Sequence, residues 1–156
     1  MKRIHGGNVT GLTIVALAMV LLGAGNAGAI DVEVFSGFTC CSGSGTPYSD
    51  LAGTFQSPDI QFGTTTGFNW HPFGLDSFGA RVTGFLGVAS DGTHTFNLCS
   101  DDGSQLFIDG TLVIDNGGGH GPLCAEGSAA LTAGTHSFEV QFLECCGGPS
   151  AGQHLR

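Results

Sequence analysis

Positive charge is nearly missing from this chain. Four Lys and Arg stand against 13 Asp and Glu in 156 residues, and two of the four cations, Lys2 and Arg3, sit at the extreme N-terminus. From residue 30 onward only Arg81 and Arg156 remain. Nucleic-acid binding needs clustered Lys and Arg on the phosphates, and attraction to anionic membranes needs the same, so the composition speaks against both partners. A hydrophobic run of spanning length is also lacking. Leu12 to Leu22 is apolar and uncharged, but it is roughly half of the ~20 residues a transmembrane helix requires. No long amphipathic helical pattern follows it. The motifs of common catalysts are missing too: there is no Gly-x-Ser-x-Gly, zinc-protease or phosphate-loop pattern. No Cys-x-x-Cys spacing supports zinc. The one pair of adjacent carboxylates lies in a single turn, whereas a glycosidase holds its two about 5 Å or more apart across a cleft. The sequence therefore reads as that of a non-enzyme.

What is present begins with a leader. Lys2 and Arg3, the apolar run, and then Ala27-Gly28-Ala29 have the charge, hydropathy and small-residue order of a secretory signal cleaved after Ala29. Removing 29 of 156 residues leaves 127, a length suited to one domain with one core, and the expected location is secreted, extracellular or cell-surface. The remainder carries six cysteines, Cys40, Cys41, Cys99, Cys124, Cys145 and Cys146. Export and an even count favour disulfides over a metal or a reactive thiol. Adjacent cysteines seldom bridge each other, so Cys40 and Cys41 are expected to reach Cys145 and Cys146, leaving Cys99 for Cys124. Sequence leaves the other pairings open.

Glycine is abundant, at 28 residues, and β-branched and aromatic residues come in short runs between turn signals. That punctuation is all-β. Residues 31–35 read as a first strand, 36–58 as a Gly/Ser/Thr/Pro-rich loop region, and 59–62 and 68–71 as short strand-like segments. Residues 81–88 and 93–100 form strands around Ala89-Ser90-Asp91-Gly92, where Asp-Gly takes positive φ cheaply. Gln105–Ile108, Asp109-Gly110 and Thr111–Ile114 form a two-residue hairpin. Ser137–Leu143 alternates, with Phe138, Val140 and Phe142 inward. Several short alternating strands with frequent turns predict an antiparallel β-sandwich, jelly-roll-like and disulfide-stapled.

Ser100-Asp101-Asp102-Gly103-Ser104 falls between two of these strands. Two carboxylates in contact repel and raise each other's pKa. A hard divalent cation such as calcium, which takes oxygen ligands, removes that cost. Neighbouring side chains of an ordinary strand point to opposite faces, so both acids reach one ion only through unusual backbone, for example a cis peptide. From the residues alone, a solvated acidic turn is the simpler reading. Asp109 reads as a turn residue. Asp115 and Asn116 lead into a glycine-rich stretch with His120, which either rims a ligand site or caps the hairpin. His71, His94 and His136 read as surface or packing histidines, and Trp70 and Phe73 as core in preference to a stacking platform.

The run TFNLCSDDGSQLFIDGTLVIDN, residues 95–116, resembles the protective antigen fourteen-kilodalton domain family. So do Arg81–Leu86 upstream and Leu131–His136 with Phe138-Glu139-Val140 downstream, and the likeness covers residues 68–155. It implies an antiparallel β-sandwich in which, as in the family's lectin members, a cis Asp-Asp pair sits on a calcium ion that also holds vicinal hydroxyls of a sugar. Carried over, Asp101 and Asp102 are the metal and ligand residues, and Gln153, or failing it Ser150, is the further oxygen ligand; Asn116 and His120 join as candidate ligand residues where their stretch rims the site and not where it caps the hairpin. The resemblance thus implies an exported calcium-dependent carbohydrate-binding or adhesion module with glycans as partners. The alternative is a structural or scaffolding domain that calcium and disulfides merely stiffen. Residues 30–156 form one such domain, expected to be truncated at its C-terminus, with further domains possible in the whole protein.

Overall fold

The structure is a computed structural model that describes residues 21–22, 29–37, 48–60, 62, 71–75, 77–144 and 152–155, with the backbone alone at 21–22, 37 and 152–155. The strands are β1 (Leu21–Leu22), β2 (Ile30–Gly37), β3 (Ser49–Ser57), β4 (Phe78–Val88), β5 (Gly92–Asp101), β6 (Ser104–Ile108), β7 (Thr111–Asn116), β8 (Leu123–Leu131), β9 (Gly134–Glu144) and β10 (Gly152–Leu155). One sheet runs β3-β2-β4-β9-β6-β7, with β1 added against β4 at Leu86 and Phe85; the other runs β10-β5-β8. All pairings are antiparallel, as the all-β sandwich reading expects. Among the described residues no helix is long and apolar enough to cross a membrane.

The period-two pattern decides which face of each strand is buried. Val32 and Val34 of β2, Ala80, Val82 and Leu86 of β4, Leu106 of β6, and Val140 and Phe142 of β9 line the large sheet's inner face. Phe96 and Leu98 of β5 and Leu131 of β8 cover them from the small sheet. Each such side chain contributes about 1.5–3 kcal/mol on leaving water. The predicted hairpin closes at Asp109 and Gly110, both at positive φ (47° and 74°), the backbone that Asp-Gly accepts in a two-residue turn. The turn at residues 89–91 behaves differently: the chain reverses there, but β4 and β5 belong to opposite sheets, so it arches between layers.

Three expectations change. Residues 49–57, read as loop, form edge strand β3. Phe55 pairs with Val32 of β2 and packs against the core, while Thr54 and Gln56 face water. Residues 58–60 form a bend and Phe62 only an isolated bridge, where a strand was expected. Strand β8 was not anticipated, because its residues are small. Its Gly127 lies so close to β7 that a Cβ there would come within 2.2 Å of the Val113 carbonyl oxygen. Cys99 and Cys124 stand directly opposite on β5 and β8 and are disulfide-bonded, with Cα atoms 4.0 Å apart. Cys40, Cys41, Cys145 and Cys146 lie outside the described residues, as do Trp70 and most of residues 1–29, where a leader was expected.

Candidate functional site

Two residues separate β5 of the small sheet from β6 of the large one, so Asp101-Asp102-Gly103 is the seam between the layers. The peptide bond between Asp101 and Asp102 is cis. The seam is pinned from several sides. The Leu143 amide of β9 donates to the Gly103 carbonyl at 2.9 Å. Ser100 and Ser104, flanking the pair, share a hydroxyl hydrogen bond of 2.7 Å in the interior. Asn116, at the end of β7, donates its amide to Ser100 Oγ at 3.0 Å and to the Leu123 carbonyl at 3.2 Å.

The glycine-rich stretch after β7 folds over this turn. A Cβ on Gly103 would lie 2.5 Å from the Gly118 carbonyl oxygen and 2.8 Å from its nitrogen, so the two backbones approach in a way only glycine permits. The His120 amide donates to Asp102 Oδ1 at 2.7 Å. The His120 ring faces two carbonyls, Gly121 at 2.8 Å from Nδ1 and Asn116 at 3.0 Å from Nε2. A neutral imidazole has one N–H, so only the charged ring satisfies both. Burial opposes that charge, but the two carbonyls, with Asp102 and Asp101, outweigh it and raise the His120 pKa. Asp115 accepts from the Gly117 amide and from Gln105 Nε2, both at 3.1 Å, and so anchors the start of the same stretch.

Burial is what sets this turn apart from a solvated acidic one. Asp101 is 9% exposed and Asp102 8%. A third acid, Glu144 at the end of β9, is 4% exposed, and its Oε2 has no hydrogen-bond partner. Burial first, and then the charges of Asp102 and Asp101, push its carboxyl up to about 7. Among the described residues the one Lys or Arg is Arg81, which is tied to Glu33. A buried carboxyl oxygen left unsatisfied, as Glu144 Oε2 is, is expensive. Oxygen donors of this kind suit calcium, which takes 6–8 of them. No three His, Cys, Asp or Glu side chains among the described residues are arranged to hold a metal by themselves, so an ion on the pair needs further oxygens.

The sequence-predicted residues are only partly brought together. Asp101, Asp102, Asn116 and His120 share one end of the sandwich. Asn116 is buried, with its amide committed to the seam. Strand β10 sets Gly152 opposite Asp101 and Gln153 opposite Ser100 in the backbone register; Ser150 lies outside the described residues. Asp109 and His136 are at the other end of β6, where His136 Nδ1 meets Asp109 Oδ2 at 2.6 Å and Nε2 meets the Thr132 carbonyl at 2.9 Å. Glu144 was missed. Its only local signal is its place as the last residue of an alternating strand, just before Cys145.

No curated protein matches the chain in sequence. Among solved structures, the PA14 sugar-binding domain from an RTX adhesin is similar with a TM-score of 0.64 at 18% identity, over 82% of this chain and 88% of that one. An anti-sigma factor domain-containing protein gives 0.62 at 22%, over 81% of this chain, and an α-xylosidase from Xanthomonas citri gives 0.63 at 19%, over 96%. The chain spans 40% of the anti-sigma factor protein and 16% of the xylosidase. The model of the PA14 domain matches residues 36–155. With that match across most of its length, the chain belongs to the PA14 domain family.

Proposed function

We propose that this chain is an exported carbohydrate-binding module that takes sugar hydroxyls through a calcium ion on Asp101 and Asp102. One observation carries the reading: Asp101 and Asp102 are buried side by side at the turn between the sheets, and their charges reach the buried Glu144, whose Oε2 has no hydrogen-bond partner. A divalent cation is the simplest compensation for that charge, and hard oxygen donors select calcium over softer metals. Sugar hydroxyls are hard oxygen donors as well, so they complete a coordination sphere that two carboxylates leave open. The name of the adhesin relative, a sugar-binding domain, agrees with this role. The Cys99–Cys124 disulfide suits an oxidising compartment outside the cell. Gln153, whose backbone lies opposite Ser100, is the proposed side-chain oxygen from β10.

The test is thermal unfolding of the oxidised chain in about 5 mM calcium and in chelator, beside an Asp101→Ala/Asp102→Ala variant. Extracellular calcium sites bind at about 10⁻⁴–10⁻³ M, so the wild type should gain about 1–2 kcal/mol and the variant nothing. No gain in the wild type sinks the calcium reading. A gain without calcium-dependent retention on immobilised glycans identifies a scaffolding domain that the ion only stiffens.

A further inference from the structure

Resting on that reading, we propose that Asn116 is a positioning residue for the calcium site: its buried side-chain amide, acting through Ser100 and Ser104, fixes the two ends of the turn that presents Asp101 and Asp102. Asn116 closes β7 and is 4% exposed. An amide nitrogen carries two hydrogens. Both are spent here, one on Ser100 Oγ at 3.0 Å and one on the Leu123 carbonyl at 3.2 Å. That carbonyl can only accept, which settles which end of the amide faces it. Ser100 Oγ in turn shares a hydrogen bond with Ser104 Oγ at 2.7 Å. Ser100 stands opposite Leu123 in the β5–β8 register, and Ser104 opposite Asn116 in the β6–β7 register. One side chain thus joins four strands, two from each sheet. The Cys99–Cys124 disulfide, one register step away, holds Ser100 and Leu123 opposite each other.

A turn grips a cation only as well as its donors are already in place, and the groups behind metal ligands set affinity by orienting them. Asp101, Asp102 and Gly103 are strung between two serine hydroxyls in direct contact. Letting those hydroxyls part moves both carboxylates at once. The trio of Asn116, Ser100 and Ser104 is also almost wholly out of water, at 4%, 3% and 3% exposure. Buried polar networks act as units, and one that is half-satisfied no longer specifies a single arrangement. Without the Asn116 amide, Ser100 loses the donor that fixes its hydroxyl, and the Leu123 carbonyl loses its side-chain partner. Asn116 therefore acts on the calcium ligands from behind, and its effect passes through Ser100.

The experiment titrates calcium into the oxidised chain by NMR and measures urea stability in chelator. It compares wild type with Asn116→Ala, Ser104→Ala, the double variant and Leu131→Ala. Leu131 is buried at the far end of β8 from Leu123, so its truncation weakens the fold away from the turn. Groups that orient metal ligands carry about 10–100-fold in affinity, so Asn116→Ala and Ser104→Ala should each weaken calcium binding about tenfold or more. The double variant should lose little beyond either single one, because both act through Ser100. Leu131→Ala should lose stability in chelator and keep the wild-type calcium affinity. Unchanged affinity in Ser104→Ala overturns the inference. So does full additivity in the double variant, or a Leu131→Ala protein that loses calcium to the same extent. Ser104→Ala removes a single oxygen atom and decides the matter alone if Asn116→Ala does not fold. A wild type that binds no calcium is a separate result, which removes the calcium reading and this inference with it.

Discussion

Glu144 makes the calcium-free protein sensitive to pH in a direction opposite to that of an ordinary salt-bridged acid. Its carboxyl is pushed from 4.5 to about 7, by burial first and then by Asp102 and Asp101. Because the folded pKa is raised, the folded state holds a proton that the unfolded chain releases between these two values. Folding stability is therefore full below about pH 4.5 and declines as pH climbs through 7. Each pKa unit is worth about 1.4 kcal/mol, so the loss approaches about 3 kcal/mol by pH 8. His120 and His136 also have raised pKa values and lose stability in the same direction. The comparison must for that reason be between wild type and Glu144→Gln, by urea denaturation in chelator at pH 5 and pH 8. The variant should be the more stable protein at pH 8 and should show a clearly flatter pH dependence. Equal slopes in the two proteins would refute the assignment of this proton to Glu144. The proposed calcium site makes a linked prediction: added calcium should flatten the wild-type profile, and an unchanged profile would count against that site.

Other consequences are checked more simply. Gly127→Ala places a methyl group where the Val113 carbonyl already lies, and should cost about 1–3 kcal/mol in urea. Phe142→Ala empties the centre of the large sheet's inner face and should cost about 3–5 kcal/mol. Replacing Cys99 and Cys124 by Ser opens a loop with a sequence separation of 25 and should cost about 2–4 kcal/mol, read as a lower Tm without reductant. Asp109 holds the His136 pKa above its usual value through their hydrogen bond. Asp109→Asn should bring it back down in an NMR titration, and an unchanged titration would refute the pairing.

Legibility in the sequence followed local chemistry. The β6–β7 hairpin was readable because Asp109-Gly110 needs no tertiary partner to turn, and β9 because Phe138, Val140 and Phe142 mark one face in strict alternation. Strand β3 was hidden: an exposed edge strand such as Ser-Asp-Leu-Ala-Gly-Thr-Phe-Gln-Ser buries little and so carries few apolar markers. Strand β8 was hidden for a different reason. Its neighbour β7 lies too near for large side chains, so the inward positions Ala125, Gly127 and Ala129 lost the hydropathy that announces a strand. At the site, Asp101 and Asp102 stood out as neighbours, but their burial could not be read from two letters. Glu144 is 42 positions from Asp102 in sequence, and only the β9 pairing with β6 and the Gly103 carbonyl brings it there.

The seam's brevity has an evolutionary consequence. Two residues link the layers between Asp101 and Ser104, and inserting even one would shift the register of β6 against both β7 and β9. That stretch is closed to change in length. The rim is less constrained: between Asn116 and Leu123 the chain holds the turn through the backbone amide of His120, which any residue but proline can supply, and through the one close approach at Gly118 that glycine must keep. A scaffold built this way separates what must be inherited unaltered from what is free to diversify. New specificities can arise by rewriting the rim while the seat beneath it stays constant.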